Sequence, residues 1–510
     1  MKPVQILIID LGSQYSLVIG RALRELDVRS AVLSPKRAAE WLKKNTPKGI
    51  ILSGGSDSVY NVGAPTPGPD FLHHHTEPIL GICYGMQWLA HSLGGSVTAH
   101  REDKDYGNTN VMIDAGDPLF RDLRKQQIVW ASHGDSVSVV PSGFLPTAVS
   151  ESGTIAAMMN RKRRLWGLQF HPEVVQTANG KQILSNFIFT ICGCEKDWQP
   201  GNIIESIQSE VSEALRDKNA IIGFSGGVDS TTLTAILAPV LKKRLRAISI
   251  DTGALREYDL ADVTANAEAA RVKVHVIKAA TRFLRVLGTT ADAETKRSRF
   301  KKLYGTILKE QARDFSAPFI IQGSLATDFI ESGGIGEAAL IKSHHNIGLK
   351  LKLKELHPFH NLFKYEVREL GRISALALPL SVTEREPFPG PGLFIRVIGA
   401  PPTKERLAIV RWADNEVVKL VRKYNLRASY SQLVVALGCV NTVGVKGDAR
   451  SYKPSIWIRA VETADFMTAE GHQFPPTFRR EITSTLTKHP EIVRVMWDET
   501  DKPPATTEFE

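Results

Sequence analysis

Two short stretches of this chain carry residue types at spacings suited to chemistry. The first is Gly81-Ile82-Cys83-Tyr84-Gly85, which closes the apolar run PILGI and opens MQWLAHSLGG, an amphipathic helical pattern with a glycine stop. A G-x-C-x-G turn between strand and helix is the thiol form of a nucleophile elbow. Its glycines permit a tight turn that pushes the central side chain out at a helix N-terminus, a position that favours a thiolate nucleophile. Burial in a core is the commoner fate of a free cysteine, and the paired glycines argue against it here. A thiol nucleophile needs a base. His171 and Glu173, in Gln169-Phe170-His171-Pro172-Glu173, follow the strand-like LWGL and lie two residues apart, so on extended chain they face one side. His171 is the expected base and Glu173 the acid that orients its ring. Ser53-Gly54-Gly55 after GIIL offers backbone N–H groups, and Gly55 and Tyr84 are the expected oxyanion donors. His133, in SHGDSV, has no such acid beside it and reads as structural.

The second stretch is Ser225-Gly226-Gly227-Val228-Asp229-Ser230-Thr231. It follows a predicted strand, Ala220 to Phe224, and precedes a predicted helix, Thr232 to Leu241. Bare backbone N–H groups at a strand–helix turn attract phosphate. Gly226 and Gly227 admit close approach, and Ser225, Ser230 and Thr231 add hydroxyl donors. The lysine of a G-x-x-x-x-G-K-[ST] loop is absent. Asp229 is an anion in an anion site, which makes sense for a Mg2+ partner, because Mg2+ bridges carboxylate and phosphate.

The elements around these stretches read as α/β. Through about residue 195, short apolar runs (VQILIID, GIILS, PILGI, LWGLQF) alternate with helical stretches, which predicts a mostly parallel sheet. A second α/β unit runs from about 200 to 385: a helix over 202–217, then strands IIGF, LRAISI and FIIQG. Asp251 stands at the end of LRAISI, where open parallel sheets bind ligands. Asp328, Glu331 and Ser332 follow FIIQG, and the two carboxylates read as Mg2+ partners or as helix caps. Lys342-Ser343-His344-His345-Asn346 has few apolar anchors and reads as a lid whose cations meet phosphate. His73-His74-His75 reads as surface loop. Pro387-Phe388-Pro389-Gly390-Pro391-Gly392 reads as a rigid linker at a boundary near 386. Strand LFIRVIG, a long helix KERLAIVRWADNEVVKLVRKY and strands at VVALG, WIRAVE and EIVRVMWD complete an α+β third part.

Bulk properties narrow the classes. A chain of 510 residues implies about three domains. Four cysteines do not make a disulfide framework, no secretory pattern opens the chain, and no run of 18 apolar residues exists. A reducing cytoplasm and no membrane are therefore expected. The net charge of +10 comes from 64 basic and 54 acidic residues that are scattered, which favours nucleotide substrates over nucleic acid. The densest cluster, Arg161 to Arg164, lies between two strands and reads as a solvated hairpin turn.

GICYGMQ, SHGDSV and LQFHPEV resemble a class I glutamine amidotransferase domain. SGGVDST resembles the pyrophosphatase loop of enzymes that cut ATP between its α and β phosphates. With FPGPGLFIRV, VGVKGDARSY, VETADFMT and the tail KPPATTEFE, nearly the whole chain resembles the glutamine-hydrolysing GMP synthase family. That resemblance implies an amidotransferase domain over 1–195, an ATP pyrophosphatase domain over 200–385 and a dimerisation domain over 386–510. It implies glutamine, ATP and XMP as substrates, Mg2+ as cofactor and a homodimer. Cys83, His171 and Glu173 would hydrolyse glutamine through a γ-glutamyl thioester. Ser225 to Thr231 and Asp251 would bind ATP, with Asp251 towards the adenosine. Arg297, Lys502 and Glu508 would bind XMP. Ser56, Thr327 and Phe509 stand where the family usually has proline, proline and tryptophan. Ligases with other acceptors are disfavoured by the tail and FPGPG, and a nucleotide- or glutamine-sensing protein by the intact thiol set.

Overall fold

A computed structural model describes residues 3–510, except 14, 69, 100–105, 133, 327, 329–340, 343–352, 374, 447, 464–468 and 503. His133, Glu331, Ser332 and Ser343 to Asn346 therefore lie outside the described residues. The described chain forms two compact units, one up to Gln199 and one from Pro200 onward.

The first unit is built on a nine-stranded sheet. Five strands run parallel: Ser30–Leu33, Ile6–Ile9, Gly49–Leu52, Ile79–Ile82 and Leu165–Leu168. Four of them, ILII, GIIL, ILGI and LWGL, are buried at every position, as strands covered on both faces must be. The sheet then continues antiparallel through Ile155–Asn160, Leu145–Ser150, Tyr106–Ile113 and Gln126–Ser132. The turn joining Ile155–Asn160 to Leu165–Leu168 is the exposed Arg161 to Arg164, the solvated hairpin expected. His73 and His74 end a short helix, Phe71–His74, rather than lying in loop.

The second unit carries a six-stranded sheet, in the order Val274–Lys278, Leu245–Asp251, Ala220–Gly223, Phe319–Ile321, Lys354–Leu356 and Ile341–Lys342. All its pairings are parallel except the last. Beyond it, a five-stranded sheet centres on the long hairpin Gln432–Lys446 and Ala449–Glu462. Helix Lys404–Lys423 packs on this sheet, with Leu407, Val410, Val417 and Val421 buried. Ile248, Phe283 and Phe300 share one continuous core with Phe394, Val410 and Leu437, so the nucleotide part and the last third are packed together.

The stretch LFIRVIG departs from expectation. Gly392–Arg396 is a buried 3-10 turn, and only Val397–Ile398 is strand. Gly392 has φ +62, and a Cβ there would stand 2.4 Å from the Ala254 carbonyl oxygen. That close approach bends the chain into the core, and Leu393 N–H then donates to Ala254 at 2.8 Å. An apolar run buried on all sides has no periodicity to mark it as strand or turn.

Candidate active sites

Cys83 stands between the strand Ile79–Ile82 and the helix Tyr84–Ser92 with φ 50 and ψ −108, strained backbone for a side-chain-bearing residue, and against expectation it is buried at the edge of the core. The glycines make the turn possible. A Cβ on Gly81 would lie 2.5 Å from the Gly85 carbonyl, and one on Gly85 2.5 Å from the Leu52 carbonyl. Cys83 N–H is anchored to the Leu168 carbonyl at 2.6 Å, which ties the elbow to the strand leading to His171. His171 Nδ1 lies 2.7 Å from Glu173 Oε1, and both side chains are almost wholly buried. Burial alone opposes charge on the imidazole. The Glu173 carboxylate and the Cys83 sulfur on its other side outweigh burial and lift the His171 pKa to about 10. Gly54 faces both partners: a Cβ there would meet His171 Cε1 at 3.2 Å and Cys83 Cβ at 3.7 Å. Gly55 lies over the Tyr84 ring. The structure thus gathers Cys83, His171, Glu173, Gly55 and Tyr84 from three separate segments. Two neighbours escaped the sequence reading. Gln169 Nε2 reaches Cys83 Sγ at 3.9 Å, and the Tyr15 ring stands edge-on to His171 at 5.1 Å. Gln169 was visible in the LQFHPE run; Tyr15 carried no signal.

In the second unit the strand Ala220–Gly223 turns through Phe224 to Gly227 into a helix, Val228–Leu241. The helix begins at Val228, four residues before the predicted start, so its first turn is the loop itself. Gly226 has φ +71, and a Cβ there would press on Val263 at 3.0 Å. The loop is tied internally by Ser225 and Ser230, whose hydroxyls are 3.1 Å apart. Asn266 Nδ2 and Arg385 Nη1 donate to the Gly226 carbonyl at 2.8 and 3.0 Å. They occupy the oxygen that would otherwise repel a phosphate. A cavity of about 700 Å3 opens here, lined by Ser225, Gly227, Val228, Asp229, Arg297 and Pro387 to Pro391 among others. A second, of about 290 Å3, lies on the other side of Ser225 and Asp229 and includes Ser230. Thr231 is fully buried and lines neither cavity. Asp251 is also outside both: its carboxylate accepts from Gly253 N–H at 3.0 Å, while Ser249, Ile250 and Thr252 line the larger cavity. Asp328 lines the smaller cavity and also accepts from Leu325 N–H at 2.7 Å, as a cap would.

The tail folds against the same region. Arg297 lines the larger cavity and donates to the Glu510 backbone oxygen. Glu508 makes a double contact with Arg396, at 3.1 and 3.3 Å, and accepts from Gln432 at 2.9 Å. Lys502 pairs through its backbone with Ala469 and lines neither cavity.

Comparison with known proteins covers every part of the chain. The chain is 39% identical to a GMP synthase [glutamine-hydrolyzing] of Aquifex aeolicus over 515 aligned residues, all of both proteins. It is 40% identical to proteins of the same name from Thermobifida fusca, over 99% of this chain and 98% of that one, and from Carboxydothermus hydrogenoformans, over 99% of each. The chain belongs to the glutamine-hydrolysing GMP synthase family. Family models match in three blocks: glutamine amidotransferase class-I over 7–191, NAD synthase over 201–305 and GMP synthase C terminal domain over 419–509. The first contains the thiol site, the second the phosphate loop and Arg297, the third Lys502 and Glu508.

Within this family member the sequence reading missed several cavity residues. Lys364 opens the helix Lys364–Arg372 and forms an ion pair with Asp229. Arg385 bridges the Gly226 carbonyl and Asp259, the latter at 2.6 Å. Phe388, read as linker, is a cavity wall with Arg256 and Arg396 against its ring at 4.4 and 4.8 Å. FPGPG was a visible signal for that wall. Lys364 and Arg385 are ordinary charges until the fold delivers them.

Proposed function

We propose that this chain hydrolyses glutamine at Cys83 and passes the ammonia to XMP activated at the Ser225 to Thr231 loop, yielding GMP. The single observation that carries the reading is the meeting of a strained cysteine elbow with the buried His171–Glu173 pair. His171 takes the thiol proton as the Cys83 sulfur attacks the glutamine side-chain carbonyl, and the negative oxygen is received by the N–H groups of Gly55 and Tyr84. His171, holding its proton beside Glu173, delivers it to the departing nitrogen, so ammonia leaves and a γ-glutamyl thioester remains. Water then hydrolyses the thioester, with His171 acting in reverse.

At the loop, the C2 oxygen of XMP attacks the α-phosphorus of ATP. The bond to the β-phosphate oxygen breaks and pyrophosphate leaves. Ammonia adds at C2, the C2–O bond breaks and AMP departs. Adenylylation turns a poor leaving oxygen into a good one. Ser225, Gly226, Gly227, Val228 and Ser230 present donors to the phosphates, Thr231 supports the helix start, and Asp251 shapes the turn beside the adenosine. Arg297, Lys502 and Glu508 are assigned to XMP.

Mg2+ fits this loop. Asp229 Oδ1 is buried without a hydrogen-bond partner among the described residues, while Lys364 holds the other oxygen. Asp229 would hold the ion, which supplies neutralisation of phosphate charge. Three domains, 1–195, 200–385 and 386–510, complete the reading. A homodimer through the last is supported by exposed Val443, Val445 and Tyr452 along its long hairpin. Four free thiols fit a reducing cytoplasm. The test is conversion of ATP to AMP and pyrophosphate with XMP set against IMP and other acceptors. XMP alone should support it, and equal turnover with another acceptor would refute the assignment.

A further inference from the structure

The smaller cavity has a second wall that no step above uses. It faces Ser225, Asp229 and Ser230 with Gln322, Gly323 and Ser324, which follow the strand Phe319–Ile321. Behind this wall stand Glu355 and His357, at the end of the neighbouring strand Lys354–Leu356. Both are buried, with side-chain exposures of 4% and 0%. Ser324 Oγ lies 3.1 Å from His357 Nδ1. His357 Nε2 is 3.5 Å from Glu355 Oε2, and that oxygen accepts from Gln322 Nε2 at 3.0 Å. Parallel pairing of Ile321 with Leu356, extended by Gln322 N–H to the Leu356 carbonyl at 2.9 Å, sets the two strand ends in register.

Burying a carboxylate and an imidazole behind a serine is costly unless they orient something. A serine hydroxyl has one proton and two lone pairs, and the group behind it decides where that proton points. With hydrogen on His357 Nδ1, the ring donates to Ser324 Oγ and leaves the serine proton free to point into the cavity. Gln322, with one amide hydrogen on Glu355, keeps the other for the same space. Two donors then face the hydroxyls of Ser225 and Ser230 across a volume of about 290 Å3.

We propose that Ser324 and Gln322 form the far wall of a subsite for the pyrophosphate leaving group, with His357 and Glu355 as positioning residues that aim their donors at it. This deepens the reading of the loop as an ATP-cleaving site and rests on it. Ser324 touches the ligand, while His357 and Glu355 act through Ser324 and Gln322. The ligand chemistry is a phosphoanhydride dianion or its magnesium salt, and inorganic pyrophosphate is the probe.

The experiment measures inhibition of ammonium-driven GMP formation by added pyrophosphate in the full chain. Ser324→Ala should raise the inhibition constant about tenfold, the worth of one hydrogen bond to a charged group. His357→Leu should do the same, and the double variant should add little, because both remove one donor. His357→Asn, whose amide can donate from the δ position, should stay within about twofold of the parent. These readouts separate positioning from mere support of the fold, and Ser324→Ala, at a half-buried site, decides the matter even if His357→Leu fails to fold. An unchanged inhibition constant in Ser324→Ala overturns the proposal, as do additive effects of the two single changes. A parent protein that makes GMP but resists pyrophosphate overturns it too. A parent protein that leaves XMP unconverted overturns the underlying reading instead, and direct calorimetry of pyrophosphate on Ser324→Ala then judges the subsite alone.

Discussion

Lys364 and Asp229, 135 residues apart in the chain, meet as an ion pair at the start of the phosphate loop's helix. The loop itself has no lysine of the kind that tracks β- and γ-phosphates. A cation is supplied instead from another helix, and it leaves one Asp229 oxygen facing inward. Asp229 therefore has two tasks, holding Lys364 and meeting the metal that accompanies ATP.

Asp229→Asn should accordingly damage both nitrogen routes. Removing one charge from a preorganised phosphate site lowers turnover by about a hundredfold. GMP formation with glutamine and with ammonium should fall together, and unchanged ammonium-driven turnover would contradict a role at the phosphates.

Cys83→Ala should separate the two sites. Only the ammonia source is lost, so glutamine-driven GMP formation disappears while high ammonium still supports turnover near the parent rate. Parallel assays on one purified sample read this directly. Loss of both activities in a folded variant would contradict independent chemistry at the two sites.

Glu173→Gln tests the electrostatics of the thiol site. Burial opposes charge on His171, and the Glu173 carboxylate reverses that opposition to give a pKa of about 10. Because the folded value lies above the unfolded one, the pair stabilises its unit fully below about pH 6.5, and that contribution is lost as pH rises through about 10. Glu173→Gln should move the alkaline limb of glutaminase activity down towards neutrality and lower its plateau about a hundredfold or more. Thermal melts of the parent should also decline between those two pH values. A glutaminase profile with the parent's alkaline limb would contradict the pairing.

Much of this could be read from sequence because the chemistry rides on local turns. Gly81 and Gly85 flank the elbow whose backbone only they permit, and Gly226 sits at a positive φ in the loop. Strands ILII, GIIL and ILGI were legible as continuous apolar runs. The antiparallel half of the first sheet was not, since nothing local distinguishes a strand that pairs antiparallel at the sheet's far side. Asp251 was placed by rule at a strand end, yet its carboxylate turns back to Gly253. Lys364, Arg385 and His357 reach the site only through packing of distant helices and strands. Arg396, 1% exposed between Asp414, Glu508 and the Phe388 ring, is a buried cation that no spacing announces.

Phe388→Ala should act on the nucleotide half alone. Two guanidinium groups stack against this ring, each contact contributing about 0.5–2 kcal/mol. Their loss loosens the cavity wall and the Arg396–Glu508 pair, so KM for XMP should rise about tenfold while glutaminase activity holds. An unchanged KM would return FPGPG to the role of a simple linker.

The central claim is that one unit liberates ammonia and the other uses ATP to install it on XMP. The most direct measurement is steady-state GMP formation from XMP, ATP and Mg2+, with glutamine and ammonium supplied in parallel. The account predicts GMP, AMP and pyrophosphate in equal amounts with either donor, and glutamate only with glutamine. XMP left intact with both donors would contradict it.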